Sequence, residues 1–315
     1  MKNTLNLTGV ILCAGKGTRI KQLLFNKPKT LLEILGQPII YHQLKYLKNV
    51  GVKKVLVVIG KSGNVIIDKI KTIPNLNLDI TFIKDLKPRG IAHSLSKTKS
   101  LIKGPLLVFL GDIFLRGARL KKMLKKFNNS NSSCVLASIK EKNVNNLKKN
   151  FTIQIDKNSR VKKVVEKPKK PETNIKGVGV YLFSKNIFNA IKKTSKIQNL
   201  NKEFGITEAI QTLIDSGDIV HSSMCVEEDV NINEPIDLWE TNIKLLKKLN
   251  RKKFISKNVY IGKNLSIINS IIGTNVNIGD NSLIKDSVVF SNVKLNKKTS
   301  LIKSIKTKES FLKLK

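Results

Sequence analysis

The amino-acid sequence predicts an α/β fold: a mixed, mostly parallel sheet with helices on both faces, followed by a short C-terminal parallel (left-handed) β-helix. Two observations carry this. Strand-like and helix-like segments alternate through the first third of the chain, and after Arg251 an apolar residue recurs every six positions. The change of pattern sets the expected domains at 1–250 and 251–315.

Each element follows from local pattern. Thr8 to Ala14, Lys54 to Ile59, Ile80 to Ile83 and Leu106 to Leu110 are short apolar runs rich in branched residues, as buried strands are. Between them, Pro38 to Lys48, Asn64 to Lys71 and Ile91 to Ile102 carry helical periodicity, with Pro38 placed in a first turn and Gly51 just past the end. "FTIQIDKNSRVKKVVEKP" reads as a hairpin turning over Asp156 to Arg160, and "GVGVYLF" as a further strand. In "FGITEAIQTLIDSG", Ile206, Ala209, Ile210, Leu213 and Ile214 share one helix face, and Gly217 closes it. "EPIDLWETNIKLLKKL" is a last long helix. Beyond it, Ile272, Ile278, Ile284 and Phe290 are six apart, and Ile261-Gly262 is an earlier copy one residue out of phase. Two to three hexapeptide coils fit, too few for a core of their own.

Composition removes several classes. The net charge is +37, from 59 Lys and Arg against 22 Asp and Glu, yet the lysines are scattered, without an arginine stripe or aromatic platform. That argues for compositional bias and against a specific nucleic-acid partner. No apolar run approaches the length of a membrane helix, and the apolar core of the N-terminus is too short for a signal peptide, so a cytoplasmic protein is expected. Cys13, Cys134 and Cys225 lack metal spacing, and their odd number speaks against a disulfide framework.

The chemistry concentrates in "LCAGKGTRIKQLLFNKPK", Leu12 to Lys29. Gly15 and Gly17 let backbone amides approach a ligand closely, and Arg19 adds positive charge, a combination suited to a phosphate. The stretch is neither a Walker loop nor a dinucleotide fingerprint, whose further glycines are missing. Asp112 ends "LVFLGD" at the carboxyl end of a strand, where open α/β sheets bind ligands, and its carboxylate suits Mg²⁺.

Six stretches, "LCAGKGTRI…KPKTLL", "PRGIAHSL", "FLGDIFL", "VVEKPKKPETNIKGVGVYLF", "EFGITEAIQTLID" and "NEPIDLWETN", resemble in order and spacing the sugar-1-phosphate nucleotidyltransferases, above all long-form glucose-1-phosphate thymidylyltransferases. The resemblance implies a Rossmann-like domain joining a nucleoside triphosphate to a sugar 1-phosphate, such as glucose 1-phosphate, with release of pyrophosphate. It implies a nucleotide site at Leu12, Ala14, Gly15, Gly17, Thr18, Arg19, Asp85 and Gly90, with Arg19, Lys29 and Asp112 catalytic. It further implies Glu166, Lys167 and Gly179 on the sugar phosphate, and Mg²⁺ held by Asp112 and Asn231. Lys27 is left as surface charge. Such chemistry needs no general base, because the attacking phosphate oxygen is already anionic.

The sequence departs from the family's pattern in three places. The usual proline after the arginine is replaced within "RIKQLLFN". Asn231 stands where Asp is common, with Asp229 two residues away as another candidate. Asp85 stands where Gln is common: the overall likeness keeps thymidylyl or uridylyl transfer first, while an ionised carboxylate, which suits the two adjacent donors of guanine, brings guanylyl transfer next. The competing class is a non-catalytic sugar-nucleotide-binding or regulatory subunit of the same fold. The hexapeptide coils are expected to support a homo-oligomer.

Overall fold

The computed structural model describes residues 6–15, 20, 23, 25, 27–197 and 204–314. Its contacts divide the chain into two compact units, Met1–Gly15 with Gln43–Asp229, and Lys16–His42 with Val230–Lys315.

The first unit is built on a nine-stranded sheet: β1 (Thr8–Cys13), β2 (Lys54–Ile59), β3 (Asp79–Lys84), β4 (Leu106–Leu110), β5 (Cys134–Lys140), β6 (Phe151–Ile155), β7 (Val161–Glu166), β8 (Ile175–Phe183) and β9 (Val220–Met224). The order is β7-β6-β8-β4-β1-β2-β3, and β5 pairs with both β8 and β9. β4, β1, β2 and β3 run parallel, while β8 runs antiparallel to β4, β5 and β6. β1 and β8 are buried along their whole length, as strands covered on both faces must be. Helices Ile91–Ser96, Asn186–Ile197 and Ile206–Asp215 contribute to the main apolar core. The last of them buries Ile206, Ala209, Ile210 and Leu213, the face its periodicity predicts.

Two helix expectations need correction. The segment expected as one helix from Ile91 to Ile102 is a helix over Ile91–Ser96 followed by a 3-10 turn at Lys99–Leu101. Ser96 and Thr98 turn their hydroxyls back onto the His93 and Leu95 carbonyls, offering the backbone other partners where the helix stops. Pro38 does not open its helix either. It pairs with Glu33 in a two-residue hairpin strand, and the helix begins at Ile39.

The second unit joins that hairpin, Glu33–Ile34 with Gln37–Pro38, to helix Pro235–Lys248 and the C-terminal coils. Asn242 is fully buried: its amide receives Leu35 N at 2.8 Å and donates to the carbonyls of Glu33 and Leu238 at 3.1 and 3.0 Å. Glu33 is buried and accepts from Ser291 N and Oγ at 2.9 and 3.0 Å. Trp239 Nε1 donates to the Asp286 carbonyl at 2.7 Å. The helix and hairpin thereby pack on coils that also bury an interior of their own, with Ile272, Ile278, Ile284, Leu295, Leu301 and Ile305 all buried, so the expectation of coils without a core does not hold.

The coils form a parallel β-helix with three sheets, in which Lys253 pairs with Ser270, Tyr260 with Asn277 and Ser266 with Leu283. Each register step is 17 residues, not 18. Left-handed corners recur at Asn264, Asn269, Asn275, Asn281 and Asp286, spaced 5, 6, 6 and 5 apart. One side of every coil is thus a residue short, which explains why Ile261 lies out of phase with Ile272 and Ile278. Asn tolerates the left-handed corner because its short amide can bond locally, and here Asn264 and Asn275 donate to Asn281 and Asn292 of the next coil, both at 3.2 Å.

Candidate functional site

In the first unit, the candidates gather at the carboxyl edge of the parallel strands. Leu12 pairs in register with Leu110, so two neighbouring strands end side by side. One runs on into Ala14 and Gly15, the other into Gly111 and Asp112. Leu12 and Ala14 are nearly buried, Gly15 is exposed and Asp112 is half-buried. Gly17, Thr18 and Arg19 lie outside the described residues.

Asp85 follows β3 at the same edge, anchored by its N–H to the Ile59 carbonyl at 2.8 Å. It is only 2% exposed, and its Oδ2 accepts from Ser94 Oγ at 2.7 Å and meets His93 Nδ1 at 3.2 Å. Gly90 has φ of 113°, and a side chain there would strike the backbone of Phe204. That packing is tight because Phe204 bonds on both sides of it, donating to the Arg89 carbonyl at 2.7 Å and accepting from Ala92 N at 3.1 Å.

Glu166 ends β7, exposed, and accepts from Thr207 Oγ1 at 2.8 Å, in the first turn of helix Ile206–Asp215. Lys167 follows in a left-handed conformation, φ 43°, with its ammonium 3.8 Å from the Glu166 carboxylate. Gly179 sits in an irregularity of β8, between the register at Gly177 and that at Tyr181, with φ of 66°. A Cβ there would press on Leu110 and Ile113, the residues on either side of Gly111 and Asp112. The buried Tyr181 phenol is raised far above its ordinary range, by burial first and then by the charges of Glu166, Cys134 and Asp112.

Asp229 has a different setting from a metal ligand open to solvent. Its side chain is 1% exposed and lies 2.8 Å from the Lys176 ammonium, which also approaches Glu141 at 3.6 Å. Burial raises the Asp229 carboxyl, and Lys176 opposes that. The preceding acids Glu227 and Glu228 are both held by Arg116, at 2.8 and 2.9 Å.

In the second unit, Lys29 donates to the Ile232 carbonyl at 3.0 Å and to Asn233 Oδ1 at 3.4 Å. It therefore lies against the segment that begins with Asn231, which is half-buried. That segment is held by Asp237, whose carboxylate accepts from Asn233 N and Glu234 N at 2.8 Å each and caps the helix behind Pro235. Lys27, taken for surface charge, forms an ion pair with Glu309. Reasoning from the sequence missed Thr207, Ser94 and Gln43. Only Gln43 leaves a sequence signal: a polar residue on an otherwise apolar helix face.

Residues 8–247 match the family model described as "Nucleotidyl transferase", and the chain belongs to that family. Within it, the chain stands among the sugar-1-phosphate nucleotidyltransferases. It is 25% identical over 271 residues to the low-salt glycan biosynthesis nucleotidyltransferase Agl11 of Haloferax volcanii, covering 84% of this chain and 73% of that one. It is 28% identical to the UTP–glucose-1-phosphate uridylyltransferase AglF of the same organism, covering 76% and 96%. Against the bifunctional protein GlmU of Methanococcus maripaludis, 28% identical, the match spans only 55% of the relative's length. A solved UDP-glucose pyrophosphorylase superposes with a TM-score of 0.67 at 21% identity, over 76% of this chain and 98% of that one, and shares the fold.

Proposed function

We propose that the protein forms a nucleoside-diphosphate sugar and pyrophosphate from a nucleoside triphosphate and a sugar 1-phosphate. The observation that supports this best is the pairing of Leu12 with Leu110, which ends at one edge the adjacent strands that lead into Gly15 and Asp112. In this reading the amides after Ala14, with Arg19 and Lys29, neutralise the triphosphate. Glu166, steadied by Thr207, accepts from sugar hydroxyls, and Lys167 meets the sugar phosphate. In the same reading the backbone at Gly179 lies close to the sugar. The attacking phosphate oxygen brings its own charge, so the residues bind and align rather than move protons.

The proposed ligands, a hard carboxylate at Asp112 and a neutral amide oxygen at Asn231, fit Mg²⁺, which takes few protein oxygens beside phosphate and water. When bound, such a cation neutralises charge developing on the phosphates. Asp229, committed to buried Lys176, is set aside as a ligand. Asp85 is the proposed base reader. With Oδ2 engaged by Ser94 and His93, its other oxygen suits one donor, the N3–H of uracil or thymine, better than the paired donors of guanine.

The test is pyrophosphate release over a panel of triphosphates and sugar 1-phosphates. Turnover is expected with UTP or dTTP, and chelation of divalent metal should abolish it. Tight nucleotide-sugar binding without turnover on any pair would instead assign the protein to the non-catalytic subunits of this fold.

A further inference from the structure

Helix Ile39–Asn49 buries Ile39, Ile40, Leu44 and Leu47 completely. Gln43 lies on the same stripe, four residues after Ile39 and four before Leu47, and is only 2% exposed. Helical periodicity calls for an apolar side chain there. Instead its amide nitrogen donates to two carbonyls, Leu110 at 2.8 Å and Ile113 at 2.9 Å. Reversing the amide would set an oxygen against both carbonyls, so hydrogen-bond chemistry settles the orientation. The amide oxygen is then buried without a hydrogen-bond partner among the described residues. A buried orphan acceptor lowers stability, and a methionine of similar shape would avoid it. Core packing therefore does not account for this glutamine. What its nitrogen holds does.

The two carbonyls flank Gly111 and Asp112. On the other side of the same turn, Gly111 N donates to the Leu12 carbonyl at 2.9 Å. A Cβ at Gly111 would lie 2.6 Å from that carbonyl and 2.8 Å from Cys13 Sγ, so the turn lies hard against β1. The turn that carries Asp112 is thus tied to β1 at its start and gripped by Gln43 before and after the carboxylate.

We propose that Gln43 is a positioning residue for Asp112: its amide sets the turn that presents this carboxylate to the metal-bound triphosphate. The proposal rests on the reading of Asp112 as a metal ligand. Two measurements on the full-length protein test it. The first is Mn²⁺ binding with UTP by electron paramagnetic resonance, counting only binding beyond that of UTP alone. The second is amide hydrogen exchange at residues 111–114 without metal or nucleotide. Gln43→Met is expected to weaken Mn²⁺ binding about tenfold, the lower end of what outer partners of a metal ligand contribute. It should also speed exchange at 111–114 and leave the KM for sugar phosphate unchanged. Asp112→Asn should remove the protein-dependent Mn²⁺ binding altogether.

The outcomes separate cleanly. Full Mn²⁺ binding in Asp112→Asn overturns the reading of Asp112, and this inference with it. Loss of binding in Asp112→Asn, with unchanged affinity and exchange in a folded Gln43→Met, overturns the role of Gln43 alone. If Gln43→Met does not fold, Gln43→Asn, one methylene too short to bridge both carbonyls, takes its place. Failure of both to fold assigns Gln43 to the core and overturns the proposal.

Discussion

Lys29 donates to the Ile232 carbonyl and to Asn233 Oδ1, which orient its ammonium. Lys29→Ala should lower turnover about 10²–10³-fold, the scale of removing one electrostatic contact to a transition state. The melting temperature should change little, because the contacts at Lys29 replace no core packing. Near-normal turnover in the variant would remove Lys29 from the site. Asp85 makes the second prediction at this scale. Asp85→Asn keeps the size and can still accept from Ser94, so the variant should fold, but the group facing the base changes from an acceptor to an acceptor or donor. Discrimination between UTP and CTP should therefore fall, measured as the ratio of kcat/KM values. An unchanged ratio would mean that backbone groups read the base, with Asp85 serving only to hold Ser94 and His93.

The coils repeat one corner many times, which makes a single corner a sensitive probe. Asn275 has φ of 57° and donates to Asn292 in the next coil. Asn275→Ala keeps a Cβ in left-handed backbone but loses the compensating amide, at a cost of about 1–2 kcal/mol. Asn275→Gly loses the same hydrogen bond but not the conformational fit, so it should cost less. Urea unfolding of the two variants checks the order. Equal losses would mean that the hydrogen bond, and not the corner geometry, sets the stability.

The coils matter to the whole molecule in two ways. Within the second unit they satisfy groups from far along the chain: Ser291 serves the buried Glu33 carboxylate and Asp286 serves Trp239. Truncation after Asn250 would take Ser291 away from the buried Glu33 carboxylate, so it should lower the melting temperature and not merely shorten the protein. At the start of the β-helix, Tyr260 is 63% exposed, Ile261 45% and Ile268 46%. An apolar end of that kind suits burial against another subunit. Light scattering of the full-length protein at micromolar concentration should give a mass above 35.3 kDa. The double substitution Ile261→Asp and Ile268→Asp should return it to the monomer. A full-length monomer would contradict this assembly.

Local chemistry alone was enough to determine the parallel strands, the Asp at the end of β4 and the presence of a β-helix. Each of these is written in neighbouring residues: β-branched runs and an isoleucine repeat. Asp112 is proposed from its place at the end of an apolar run, and Glu166 and Lys29 from the resemblance to the family. What the sequence could not decide were matters of distance between remote segments. Asp229 and Asn231 are equally good oxygen donors on paper. Only the fold set Lys176, 53 residues earlier, against Asp229 and buried both. Asp85 is expected from the sequence as a base reader, and only folding brings Ser94 and His93 onto one of its oxygens. Gln43 looks like an interruption in an apolar helix until the Leu110 and Ile113 carbonyls are seen on either side of Asp112. The physical reason is the same in all three. Residue type states what a group can do, but burial and hydrogen-bond partners depend on contacts that no local pattern encodes.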